Sequence, residues 1–147
     1  MISTSIAGLL GLAAIAVLAA AALVHLYWSL GGRAFHALAV PEKPRSGGGG
    51  PAMRPGPAGT LAVAMALAVA GDLVAVRIGL LETSMPGWVA QAACAALALV
   101  FLGRAIGERR YVGLFKQVTG TRFARLDTMI YSPLCLFMAV ATGINAF

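Results

Sequence analysis

Four long apolar blocks interrupt this chain, and they leave little freedom over what it can fold into. They run from Ile6 to Trp28, Leu61 to Leu81, Trp88 to Ile106 and Met129 to Ala146. Each approaches the roughly 20 residues that a helix needs to cross about 30 Å of hydrocarbon. Backbone amides in lipid must be satisfied within their own segment, so helices are the expected form. Alternation at period two, the mark of a membrane barrel, is absent. The expectation is an all-α, four-helix transmembrane bundle forming one integral-membrane domain over 1–147.

Composition agrees. Only 11% of the residues are charged and 60% are hydrophobic, against about 25% charged in a typical soluble domain. The first block is read as a retained helix rather than a cleaved signal peptide. Its start, "MISTSI", carries no Lys or Arg, and the apolar run exceeds an ordinary signal core.

The placement of charge sets the expected topology. The first connection holds Arg33, Lys43, Arg45 and Arg54, and the third holds Arg104, Arg109, Arg110, Lys116, Arg122 and Arg125. Only Arg77 lies elsewhere. With four spans these two connections share a side, which the positive-inside rule makes cytoplasmic. Both termini then face outward, to the periplasm where the membrane is a bacterial inner one, and the protein is expected to cross its membrane several times.

The connections differ in kind. Residues 41–58 include "PEKPRSGGGGPAMRPGP", with four consecutive glycines and five prolines, and read as a flexible linker. The run lacks the GK[ST] ending of a phosphate-binding loop. Residues 107–127 instead interleave basic residues with Tyr111, Leu114, Phe115, Phe123 and Leu126. That mixture suits an interfacial loop with rings among headgroups and cations on phosphate, a better fit at this place than nucleic acid. "TSMPG" at 83–87 predicts a tight hairpin between the second and third spans. Ala62, Ala66 and Ala70 at four-residue spacing would let helix backbones approach closely, and Gly103 with Gly107 repeats the pattern weakly.

Ionisable groups inside spans are costly and mark candidate sites. Asp72 is the deepest carboxylate, a candidate for proton or ion coupling. His25 shares a helix face with Trp28 and titrates near neutrality; an interfacial hydrogen bond is its simpler role. Arg104 and Glu108 stand four residues apart, a spacing that suits a surface salt bridge. Asp127, Tyr131 and Cys135 follow at the same spacing on one face of the last helix. Asp127 is placed to cap that helix and meet its macrodipole. Pro133 lacks an amide hydrogen and would loosen the turn beneath it. His25, Arg104, Glu108, Arg110, Asp127 and Tyr131 would then converge in a polar mouth at the cytoplasmic end, or simply form a layer of caps and salt bridges. Cys94 and Cys135 read as packing residues, and neither a CxxC nor a His/Cys cluster argues for a metal or cofactor.

"HLYWSLGG" (25–32) and "RAIGERRYVGLFKQVTGTRFARLDTMIYSPLC" (104–135) resemble the bacterial integral-membrane family known as domain of unknown function 3995 (DUF3995). The resemblance implies a small four-helix inner-membrane protein and brings no activity or site residue with it. The chemistry of the residues favours non-enzymatic binding of lipid, anionic headgroups in particular, or of a membrane-protein partner or second copy. A membrane enzyme acting on an amphiphile through His25, Glu108, Asp127 or Tyr131 is an alternative. A dimeric transporter using Asp72 is another.

Overall fold

A computed structural model describes residues 5–44 and 48–147. The start of the chain before Ser5, and Arg45–Gly47 of the expected linker, lie outside the described residues. The described chain is helical: α1 (Ile6–Ser29), α2 (His36–Ala39), α3 (Pro57–Arg77), α4 (Gly87–Ile106), α5 (Arg122–Leu126) and α6 (Ser132–Ile144), with a π-helical turn, Asp127–Tyr131, joining α5 to α6. Four segments are long and apolar enough to cross a membrane: α1, α3, α4 and the continuous run Arg122–Ile144. The molecule is a transmembrane helix bundle.

Local chemistry accounts for the helix ends. Ser5 caps α1 by accepting from the Gly8 N–H at 3.3 Å. Pro57, whose missing N–H costs nothing in a first turn, opens α3. Gly107, at φ 79°, closes α4. The last span begins at Arg122, not 129. Thr121 is its cap, accepting from the Ala124 N–H at 3.1 Å. Asp127 is therefore inside the helical run and does not cap it. The charges of Arg122 and Arg125 hid that first turn from an apolar-run reading.

α1 packs along α3 and α4 along α6, with α3 on α4 and α1 on α6 completing the ring. The core between them is formed by Ala14, Leu18, Ala70, Val74, Cys94, Met138 and Ala141. Small side chains dominate it, as expected where dispersion and close backbone approach replace the hydrophobic effect. Gly71 of α3 lies against Leu18, at the middle of α1. At the end holding the termini, Asn145 Nδ2 donates to the carbonyls of Ala7 (3.0 Å) and Ala141 (2.9 Å). These bonds tie α6 to α1 where a buried amide needs acceptors.

The α3–α4 pair is looser than the short turn between them suggests. Ala66 and Ala70 line an open apolar groove with Met65, Val69, Ala93, Ala96 and Val100. In the first connection, Glu42 and Pro51 form an antiparallel bridge, with Lys43 N–H donating to Gly50 O (2.8 Å) and Ala52 N–H to Pro41 O (2.7 Å).

Candidate functional site

The basic end of the bundle is organised around Asp127. The π turn and the first turn of α6 hold this carboxylate at 0% exposure. Oδ1 accepts from Arg104 Nη2 of α4 at 2.8 Å. Oδ2 accepts from the Gly113 N–H at 2.8 Å, from Lys116 Nζ at 3.0 Å and from Ser132 Oγ at 3.3 Å. Four donors on two oxygens nearly fill what a carboxylate can accept. A buried charge is tolerable only with such pairing.

Lys116 completes the arrangement. Its Nζ also donates to Gly113 O (2.9 Å) and Thr128 Oγ1 (2.6 Å), so all three ammonium protons have acceptors. Thr128 Oγ1 passes a bond on to Ala124 O at 3.1 Å. Lys116 thus draws the loop between α4 and α5 onto the π-helical turn, through Asp127 and Thr128.

Backbone conformation lets the loop reach. Gly107 and Gly113 both have positive φ, and a methyl on either would overlap the backbone of the other's neighbourhood: Val112 carbonyl for Gly107, Ile106 carbonyl for Gly113. Leu114 N–H bonds to Ala105 O (2.8 Å), Gln117 N–H to Arg109 O (2.8 Å) and Val118 N–H to Arg110 O (3.0 Å). The loop is a folded strap closed by its own backbone bonds.

The other expected site residues are distributed around this centre. Arg104 pairs with Asp127 and not with Glu108. α4 stops at Ile106, so the four-residue helical spacing to Glu108 does not exist. Glu108 Oε1 instead accepts from the Tyr111 N–H at 2.9 Å. Arg110 stacks its guanidinium over the Tyr111 ring at 5.2 Å. Tyr131 turns away from Asp127, its hydroxyl donating to Leu38 O at 3.2 Å, its ring 6.0 Å from Phe123. That bond joins the last span to the first connection and puts both basic connections at one end of the bundle.

His25 belongs to a separate group. Its Nδ1 is 2.8 Å from Ala21 O. Its ring meets Trp28 edge-on at 5.2 Å, and Trp28 meets His36 at 5.4 Å. Trp28 Nε1 donates to Ala34 O at 2.8 Å, closing the turn after α1. Asp72 is remote from both groups, on an exposed face of α3. Among the described residues no group of three His, Cys, Asp or Glu side chains is placed to hold a metal ion. Cys94 and Cys135 are free thiols.

Lys116, Gly113 and Ser132 are central here and did not stand out in the sequence. Lys116 looks like one more surface cation of a basic loop. Only the burial of its partner, eleven residues on, reveals it.

The family model described as "Protein of unknown function (DUF3995)" matches residues 17–142. No curated protein and no solved structure matches the chain.

Proposed function

The chain belongs to the DUF3995 family of unknown function, and we propose that it binds anionic lipid headgroups at the basic end of the bundle, without catalysis. One observation carries this reading. The strap between α4 and α5 is inverted relative to a loop in water: Lys116 is 8% exposed while its neighbour Phe115 is 67% exposed. An apolar side chain outward and a cation inward suit a surface that rests on lipid. Leu114 is exposed beside Phe115.

Charge supports the choice of lipid. Arg109, Arg110, Arg122 and Arg125 are exposed around the strap. Inside it, two cations, Arg104 and Lys116, face the single carboxylate of Asp127, so the strap carries net positive charge. Basic residues at a leaflet surface contribute about 1 kcal/mol each toward anionic lipid. By the positive-inside rule this end faces the cytoplasm, where anionic headgroups of the inner membrane would meet it.

The test is native mass spectrometry of the protein reconstituted in nanodiscs of equimolar phosphatidylglycerol and phosphatidylcholine. Selective retention of phosphatidylglycerol, reduced in an Arg109→Glu/Arg110→Glu variant, is the expected result. Equal retention of both lipids would overturn the proposal. Phe115→Trp gives a second readout: its emission is expected to shift to the blue in phosphatidylglycerol vesicles relative to detergent.

A further inference from the structure

The first connection encloses a cavity that neither the Asp127 centre nor the strap accounts for. Between the end of α1 and the start of α3 the chain folds back on itself. Glu42 and Pro51 form the antiparallel bridge, closed by Lys43 N–H on Gly50 O (2.8 Å) and Ala52 N–H on Pro41 O (2.7 Å). α2 supplies the facing wall. It is held from one side by the Tyr131 hydroxyl on Leu38 O (3.2 Å) and from the other by Trp28, whose ring meets His36 edge-on at 5.4 Å. The space between is a cavity of about 460 Å³, with His36, Val40, Glu42, Pro51, Met53 and Arg54 in its lining. Small-molecule sites span about 300–1,000 Å³.

The walls carry both signs of charge, and neither is taken up by the fold. Among the described residues, Glu42 and Arg54 make no ion pair and no side-chain hydrogen bond, to each other or elsewhere. Between them the lining is apolar, with Val40 buried and Pro51 and Met53 beside it. A purely anionic occupant would meet the Glu42 carboxylate, and a purely cationic one the Arg54 guanidinium. Such like-charge contacts are costly. A molecule that joins both signs through a short apolar link suits every wall. The place of the cavity narrows the choice. It lies beside the ends of α1 and α3, where Tyr27 and Trp28 form the kind of aromatic belt that marks the headgroup layer.

We infer that this cavity takes a phosphoethanolamine group, with its phosphate on Arg54 and its ammonium on Glu42. A guanidinium fork suits phosphate oxygens, which it can bind bidentately. A primary ammonium brings three N–H donors to a carboxylate, whereas the quaternary nitrogen of choline brings none. The two methylenes between the charges match the apolar lining. Phosphatidylethanolamine in the bilayer and glycerophosphoethanolamine in water carry the same group, and the experiment below separates them. This inference does not depend on anionic lipid at the strap, because Glu42 and Arg54 belong to the first connection and the strap to the third.

The test is native mass spectrometry of the full chain from nanodiscs of equimolar phosphatidylethanolamine and phosphatidylcholine, free of anionic lipid. Selective retention of phosphatidylethanolamine is expected. It is expected to fall about tenfold or more in Glu42→Gln and in Arg54→Gln, the effect of losing one charge-assisted hydrogen bond. Neither side chain has a partner in the fold, so both variants are expected to keep wild-type thermal stability. Ala37→Trp, which fills the cavity from α2, is expected to give the same loss without touching a charge. Lys43→Gln is the control: Lys43 is exposed and outside the lining, and its variant is expected to retain lipid as the wild type does. Calorimetric titration of glycerophosphoethanolamine into the protein in detergent separates the two sources. Binding that is lost in Glu42→Gln makes the headgroup alone sufficient; selective lipid retention without such binding makes the intact lipid the ligand. Equal retention of the two lipids together with no binding of glycerophosphoethanolamine would overturn the inference. So would wild-type retention in Glu42→Gln, or a loss in Lys43→Gln equal to that in Glu42→Gln.

Discussion

Ser132 sits over Asp127, with its backbone N–H bonded to the Asp127 carbonyl and its hydroxyl 3.3 Å from Asp127 Oδ2. The separation is five residues, not the four of an α-helix. Such π turns widen the helix locally and often occur where a side chain must be re-aimed. Here the wide turn swings Asp127 inward to meet Arg104, Lys116 and Gly113, and leaves Tyr131 free to reach Leu38. Pro133 follows directly and has no N–H to restore the regular ladder. Asp127→Asn removes the charge between two cations that stay close together. Breaking a buried pair in this way costs about 3–5 kcal/mol. The expected outcome is a large loss of thermal stability in detergent, measured by circular dichroism, with Ser132→Ala losing much less.

The ion pair between Lys116 and Asp127 is expected to be strongly coupled, because the Lys116 side chain is 3% exposed and Asp127 fully buried. Lys116→Met alone strands part of the carboxylate's charge. Lys116→Met with Asp127→Leu removes both ions. The double variant is expected to be less destabilised than the sum of the singles, by about 1 kcal/mol or more. Equal effects within error would mean that the pair is not coupled in the folded protein. A chemical denaturation series of the four proteins in one detergent measures it.

How much of this was legible beforehand depended on the kind of signal. The four spans follow from apolar length, which no tertiary detail overrides. The sharing of one end by the two basic connections follows from span count. The Asp127 centre did not, because it is made by three departures from regular geometry. Gly107 ends α4 and takes Glu108 out of register with Arg104. The π turn takes Tyr131 out of register with Asp127 and puts Ser132 there. Positive φ at Arg109 and Gly113 folds the strap so that Lys116 points inward. A helical wheel drawn at 3.6 residues per turn cannot anticipate any of them. Arg104 and Asp127 were singled out as candidates, but with the wrong neighbours.

Gly113 serves the site through its backbone alone. It has φ 91°, its N–H donates to Asp127 Oδ2, its carbonyl accepts from Lys116 Nζ, and a Cβ there would overlap the Ile106 carbonyl. Gly113→Ala is therefore strained in conformation and in space, and is expected to cost about 2 kcal/mol or more. Gly120, in the same connection, has open space around it and no positive φ. Gly120→Ala is expected within about 0.5 kcal/mol of wild type. Thermal unfolding of the two variants side by side checks the contrast, and equal losses would mean that the strap is not held as described.

Tyr131 of the last span reaches across to the first connection through its bond to Leu38 O. Tyr131→Phe keeps the ring against Phe123 and deletes only the hydroxyl. A neutral hydrogen bond of this kind contributes about 1 kcal/mol. The helices do not depend on it, so global stability should fall by no more than that. The local effect should be larger in relative terms, because α2 has few other contacts with the bundle. Limited proteolysis reads it directly: cleavage between residues 33 and 56 is expected to be faster in Tyr131→Phe than in wild type, with α4–α6 equally protected in both. Unchanged cleavage would mean that the first connection is held at the basic end by something other than this bond. The neighbouring contacts that would then be tested are Trp28 with Ala34 and His36, which anchor the same connection from the α1 side.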